Sequence, residues 1–298
     1  MTPAPSPIPQ DYERVTLPDG SQLVARCFGN ANARAAVMLP GAMGVPQKFY
    51  EAYAKWLAAQ GCFAVTFDYR GTGLSSPRNL RGESLRQCKV NIGDWAEHDC
   101  AAIINLICTR TNNAPLFVVG HSLGGQIIGM IPNRDRLAGA FIVASGSGYW
   151  RETSPPTRRN SKWLWFFLAP VLTPLFGYFP GRLLRAVGDL PRGVIEQWRR
   201  WCLNPHYLVG AEGPSMAAQY ASVTLPMLVL SFTDDEMMSA ANTEALCNFY
   251  PHATIERKRL TPSDIGAQRI GHFGFFRSQF STTLWPLTTQ WLASLLAK

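Results

Sequence analysis

Five apolar runs recur along the chain: AAVMLPG (35–41), FAVTFDYRG (63–71), PLFVVG (115–120), LAGAFIVASGSG (137–148) and PMLVLSFTDD (226–235). Helix-patterned segments separate most of them, notably FYEAYAKWLAAQG (49–61), DWAEHDCAAIINLICTR (94–110) and the stretch after Gly124. A strand that is apolar at nearly every position buries both of its faces, and strand, helix, strand is the connection of a parallel sheet. The expected architecture is therefore α/β: a mostly parallel sheet with helices on both faces. At the start, YERVTLPDGSQLVARCFG adds a hairpin around Pro18-Asp19-Gly20-Ser21, and at the end AANTEALCNFY, ATIERKRL and TTLWPLTTQWLASLLAK read as helix, strand and helix.

The alternation stops near residue 149 and resumes near 226, which predicts a flexible Pro-rich tail over 1–10, a core formed by 11–148 and 223–298, and a helical cap over 149–222. Inside the cap, residues 163–181 (WLWFFLAPVLTPLFGYFPG) carry no charge over 19 positions, a membrane-spanning length. Pro170 and Pro174 interrupt that stretch, and a span would put the residues before it and after it on opposite sides of a bilayer. The expectation is instead a set of short, proline-broken helices, with the aromatic side chains of Trp150, Trp163, Trp165, Phe166, Phe167 and Phe176 lining an apolar entrance. Basic residues flank the run, so membrane-surface contact through the cap is part of the expectation. Residues 151–200 hold nine Arg/Lys against three Asp/Glu, most of the net charge of +8. Such a cluster attracts anions. No nucleic-acid reader motif accompanies it, so no nucleic-acid partner is expected.

The seven cysteines, at 27, 62, 88, 100, 108, 202 and 247, form no CxxC pair and no metal-ligand spacing, and read as reduced. No basic segment followed by an apolar run opens the chain, so a cytoplasmic protein is expected, with no metal and no organic cofactor.

The chemistry centres on LFVVGHSLGG (116–125), where a buried strand turns at Gly120-His121-Ser122-Leu123-Gly124 and passes into the apolar IIGMI of a helix. GxSxG alone is a weak signal, but strand, sharp turn and helix is the context that exposes a nucleophilic hydroxyl. A serine needs a base to take its proton and an acid to orient that base. Of five histidines, His121 lies in the turn, His98 on the preceding helix, His206 in the cap and His252 at a strand start. His272, in RIGHFGFF between the final strand and final helix, lies where a loop at the sheet's carboxyl edge can reach the elbow, and is the expected base. The acid is expected after MLVLSF, where Asp234 and Asp235 adjoin; Asp235 is favoured because DEMMS suits the loop into the next helix. Developing negative charge on a substrate oxygen needs N–H donors. Leu123 N–H is one, and in LPGAMG (39–44) Ala42 N–H, with Met43 N–H as the alternative, is the other.

With these pieces placed, the sequence resembles the α/β-hydrolase superfamily, specifically its cytosolic esterase, lipase-like and serine-aminopeptidase-like branch. The matching stretches are PGAMG, FDYRGTGLS (67–75), GHSLGG, the acids of SFTDDE, and GHFGFF, in the family's order, within residues 35–148 and 226–298. The resemblance implies an eight-stranded, mostly parallel sheet with a cap after the sixth strand, and a nucleophile, acid and base in the chain order Ser, Asp, His. There are two departures: PGAMG replaces the family's commoner His-Gly opening, and the aspartate is doubled. Asp68 and Arg70 read as structural members of a tight turn. The expected function is a cofactor-free serine hydrolase cleaving a carboxylic ester or thioester with an apolar acyl group, its partner a small-molecule acyl substrate. An acyltransferase or amide hydrolase on the same residues, and a non-catalytic binding protein of this fold, are the alternatives. Dehalogenase and epoxide-hydrolase chemistry is disfavoured, since those relatives carry aspartate where Ser122 stands.

Overall fold

The computed structural model describes residues 9–184 and 187–297; the greater part of the expected tail, 1–10, lies outside them. The described residues form ten strands: β1 (Glu13–Thr16), β2 (Gln22–Phe28), β3 (Ala35–Leu39), β4 (Cys62–Asp68), β5 (Leu116–His121), β6 (Leu137–Val143), β7 (Tyr178–Phe179), β8 (Leu190–Pro191), β9 (Met227–Phe232) and β10 (Ile255–Leu260). Eight of them form one sheet in the order β1-β2-β4-β3-β5-β6-β9-β10. The first two pairings, β1 with β2 and β2 with β4, are antiparallel, and every later one is parallel. This is the eight-stranded, mostly parallel sheet that the resemblance implied.

Alternate residues of each buried strand feed two separate cores, as the period of two requires. Met38, Val118, Ile142 and Val229 meet Ile103, Ile104 and Ile107 on one face. Val37, Val119, Val143 and Leu230 meet Tyr53, Leu57, Trp291 and Leu292 on the other. Chain order along the sheet reverses between β3 and β5, so a crevice opens outside their carboxyl ends, where ligands of open α/β sheets bind.

The structural reading of Asp68 and Arg70 fits their bonds. Asp68 accepts from Gln47 N–H, Gln47 Nε2 and Leu74 N–H, closing the turn after β4. The Arg70 N–H and Nε donate to buried Asp99 at 2.8 and 2.5 Å. Asp99 sits in a π-turn, Trp95–Cys100, inside the helix over 92–110.

Two expectations about helices need correction. After the elbow the chain makes one α-turn, Leu123–Gln126, and then a 3-10 turn, Ile128–Met130, instead of a continuous helix. Tyr220 Oη donates to the Gln126 carbonyl at 2.6 Å, taking the acceptor that an α-helix would give to Met130 N–H, which bonds to Ile127 O instead. In the cap, Pro170 and Pro174 do not break the helix, which runs over 155–176. A π-turn, Leu164–Leu168, precedes Pro170, and in its i→i+5 register Ala169 N–H bonds to Leu164 O. The next carbonyl, of Trp165, would in that register face Pro170, which has no N–H. Arg199 Nε takes that carbonyl at 2.5 Å. No helix among the described residues is long and apolar enough to cross a membrane.

Candidate active site

β5 ends in the sharp turn that presents Ser122, whose backbone is at φ 51°, ψ −113°. A non-glycine residue at positive φ is strained by about 1–3 kcal/mol and persists only where its surroundings enforce it. Here Ser122 N–H donates to Val143 O, Ser145 Oγ donates to Ser122 O at 2.7 Å, and His121 N–H donates to Pro40 O. The turn packs so tightly that a Cβ at Gly124 would lie 2.0 Å from the Pro40 carbonyl oxygen, and one at Gly120 2.7 Å from Gly124 O. Only glycine fits at either position.

The loop after β9 grips the loop after β10 with three consecutive acids. Asp234 Oδ2 accepts the N–H groups of Ile270 and Gly271, at 2.8 and 3.1 Å. Asp235 accepts His272 Nδ1 at 2.9 Å through Oδ2, and its Oδ1 accepts Met237 and Met238 N–H. Glu236 Oε2 accepts the His272 backbone N–H at 3.1 Å. Asp235 and His272 are both buried, and their bond puts the His272 proton on Nδ1, which leaves Nε2 as a proton acceptor.

Ser122 and His272 line the same cavity of about 460 Å³, together with Ala42, Met43 and Leu123. Ser122 Oγ makes no hydrogen bond to any described residue, His272 included. In unliganded sites such bonds are commonly long and tighten when substrate binds.

Behind the cavity wall runs a chain of buried hydrogen bonds that residue types and spacing did not reveal. Ala42 N–H donates to Tyr50 Oη at 2.8 Å, Tyr50 Oη is 2.8 Å from His121 Nδ1, and His121 Nε2 is 3.0 Å from the His272 carbonyl oxygen. Burial keeps the Tyr50 phenol protonated, so its O–H donates to Nδ1 and the His121 proton lies on Nε2. The end of β5 and the loops after β3 and β10 are thereby joined through two side chains.

This chain corrects the expectation for Ala42, whose N–H is turned away to Tyr50. Met43 N–H and Leu123 N–H, by contrast, have no hydrogen-bond partner among the described residues. The physical reason is the 3-10 turn Gln47–Tyr50, which brings the phenol back beneath Gly41; a Cβ there would lie 2.8 Å from the Tyr50 ring.

Burial, reinforced by the nearby His272, holds the His121 pKa well below its ordinary value, so the folded protein keeps this ring neutral. In the unfolded chain it takes up a proton below about pH 6.5. Above that pH neither state binds the proton and stability is unaffected; below it only the unfolded state does, and stability falls by up to about 1.4 kcal/mol per pH unit. Urea unfolding of the wild type and of His121→Gln, near neutrality and at about pH 5.5, is expected to show the wild type losing about 1.4 kcal/mol more on acidification. Equal losses would mean that the folded ring is charged.

The cap supplies the cavity's far wall. Ser161, Leu164, Trp165 and Leu168 face inward, with Trp198 edge-on to Trp165 at 4.9 Å and Met237, Met238 and Phe273 from the core. Of the six cap aromatics expected at an apolar entrance, only Trp165 lines the cavity. Trp163, Phe166 and Phe167 project from the opposite side of the helix into solvent, and Trp150 packs edge-on against Phe166 at 5.7 Å.

A family model described as the alpha/beta hydrolase family matches residues 36–279. The chain belongs to the alpha/beta hydrolase family. Among solved structures, this hydrolase is similar to a soluble variant of monoglyceride lipase from Saccharomyces cerevisiae in complex with a substrate analogue, at 18% identity and a TM-score of 0.65, covering 99% of both chains. It is also similar to the monoacylglycerol lipase of Paleococcus ferrophilus, at 17% identity and a TM-score of 0.58, covering 92% of this chain and 99% of that one. A thermophilic esterase from Thermogutta terrifontis aligns at 17% identity and a TM-score of 0.57, covering 95% and 98%. No curated protein sequence matches the chain. At such identities the likeness establishes the fold.

Proposed function

We propose that this hydrolase cleaves a carboxylic ester or thioester with an apolar acyl group, through Ser122, His272 and Asp235. The observation that carries the reading is the Asp235–His272 bond beside a serine held in a strained turn, with serine and histidine opening onto one apolar cavity. His272 Nε2 takes the Ser122 Oγ proton as Oγ attacks the acyl carbon, and Asp235 stabilises the imidazolium that forms. Leu123 N–H and Met43 N–H hold the oxyanion. Collapse of the tetrahedral intermediate expels the alcohol or thiol, which takes the proton from His272. Water, deprotonated by the same histidine, then attacks the acyl-enzyme and releases the acid.

Leu164, Trp165, Leu168 and Trp198 give the acyl chain an apolar wall. Each methylene buried there adds about 0.8 kcal/mol of binding, about a fourfold gain. A fluorescent fluorophosphonate is expected to label the folded wild type, with the adduct mapping to Ser122. A panel of esters and thioesters of increasing acyl length is expected to show kcat/KM rising by up to about fourfold per methylene until the cavity is full. Folded protein that takes no label, or takes it at another residue, would overturn the mechanism. Activity falling with each added methylene would overturn the apolar acyl assignment alone.

A further inference from the structure

The cap helix over 155–176 is apolar on two opposite sides. Its inner side is the cavity wall. On its outer side Trp163, Phe166, Phe167, Pro170, Val171, Pro174 and Leu175 follow one another at spacings of three, one, three, one, three and one, which draws a single stripe along a helix. The stripe is open to solvent: Trp163 is 67% exposed, Phe166 56%, Phe167 55%, Val171 46% and Leu175 69%. Leu183, beyond the helix and β7, is also exposed, at 70%. A helix apolar on two sides is normally buried on both, and a contiguous apolar stripe about 18 Å long is more than scattered surface hydrophobes account for.

Charge says what covers it. From residue 153 to residue 188 the chain has five basic residues and no acidic one. Arg158, Arg159 and Lys162 are exposed at the head of the stripe, with no carboxylate partner among the described residues, whereas Arg182, beyond the helix, faces Asp189 at 3.8 Å. A second copy of the chain laid parallel along the stripe would set these three cations against their own kind, whereas an anionic surface pairs with them.

We propose that this face docks on an anionic lipid bilayer, with the helix lying in the interface plane, the stripe reaching the acyl boundary and the flanking basic residues on the headgroups. An amphipathic surface of this kind inserts about 5–10 Å, and each basic residue near an anionic surface contributes about fivefold to binding. Because the same helix carries the cavity wall on its other side, docking leaves the cavity about one helix diameter, about 10 Å, from the membrane.

The test is co-sedimentation of the full chain with vesicles of phosphatidylcholine alone and of phosphatidylcholine mixed with phosphatidylglycerol. Three proteins are compared: the wild type, Trp163→Ser/Phe167→Ser and Arg159→Gln/Lys162→Gln. None of these side chains lines the cavity, so the folds and the cavity are left in place. The wild type is expected to bind the mixed vesicles and to bind phosphatidylcholine more weakly. The aromatic variant should lose at least about tenfold of that binding. The basic variant should lose about twenty-fivefold on mixed vesicles and little on phosphatidylcholine. A wild type that stays in the supernatant with mixed vesicles overturns the proposal, as does an aromatic variant that binds like the wild type. Sedimentation velocity without lipid supplies the remaining arm: a wild-type dimer that the aromatic changes dissociate, with no vesicle binding, would assign the stripe to self-association instead.

Discussion

Replacing Ser122 with alanine is expected to lower kcat on any ester the wild type cleaves by about 10⁶-fold, the loss found when the nucleophile of a Ser-His-Asp site is removed. The fold should survive the change. Ser122 Oγ bonds to no described residue, and the strained backbone at φ 51° is held by the Ser122 N–H and carbonyl, which alanine retains. The unfolding midpoint is therefore expected to move by no more than a surface substitution would move it, within about 0.5 kcal/mol. Binding of the product acid should change by less than about tenfold, since the apolar wall supplies uniform binding that the serine does not. Parallel measurements of kcat, product affinity and urea unfolding check all three. More than a few per cent of the wild-type rate in a folded variant would place the nucleophile elsewhere.

The parts of this arrangement that were legible in sequence are those set by short-range pattern. The buried strands show as unbroken apolar runs because both of their faces are covered, and the elbow shows because its glycines must let Pro40 O and Gly124 O approach to within side-chain distance. What stayed hidden depends on contacts between distant segments. Tyr50 and His121 are 71 residues apart, and nothing local to GHSLGG marks its histidine as a bridge to the loops on either side. Ala42 and Met43 differ only in which way an N–H points, and that is settled by the return of Tyr50. The cap misled for a different reason. Its helix has two apolar stripes, one through Leu164, Trp165 and Leu168 and one through Trp163, Phe166 and Phe167, and helical periodicity cannot say which of two apolar sides faces a core. Pro170 reads as a break because the Arg199 side chain that takes the Trp165 carbonyl is 34 residues away in sequence.

The doubled aspartate is the sharpest of these ambiguities, and the geometry turns it into a pair of opposite outcomes. In Asp235→Asn one amide atom must meet His272 Nδ1 while the other meets the N–H groups of Met237 and Met238, at 2.7 and 2.8 Å. Those two donors claim the carbonyl oxygen, so the NH₂ group faces Nδ1, which then has to accept. The His272 proton moves to Nε2, where the proton of Ser122 should arrive, and the base is lost although the ring stays in place. A loss of about 10⁴-fold in kcat is expected, with the variant folded. Asp234→Asn should behave otherwise. Asp234 Oδ2 accepts backbone N–H groups of Ile270 and Gly271, and an amide oxygen can accept them equally well in geometry. The change replaces charge-assisted bonds by neutral ones, at a cost of about 1 kcal/mol in stability, and kcat should stay within about tenfold. Steady-state kinetics and urea unfolding of the two variants side by side decide the matter. A larger kinetic loss in Asp234→Asn would mean that the loop, and not the tautomer, is what the acids of this turn control.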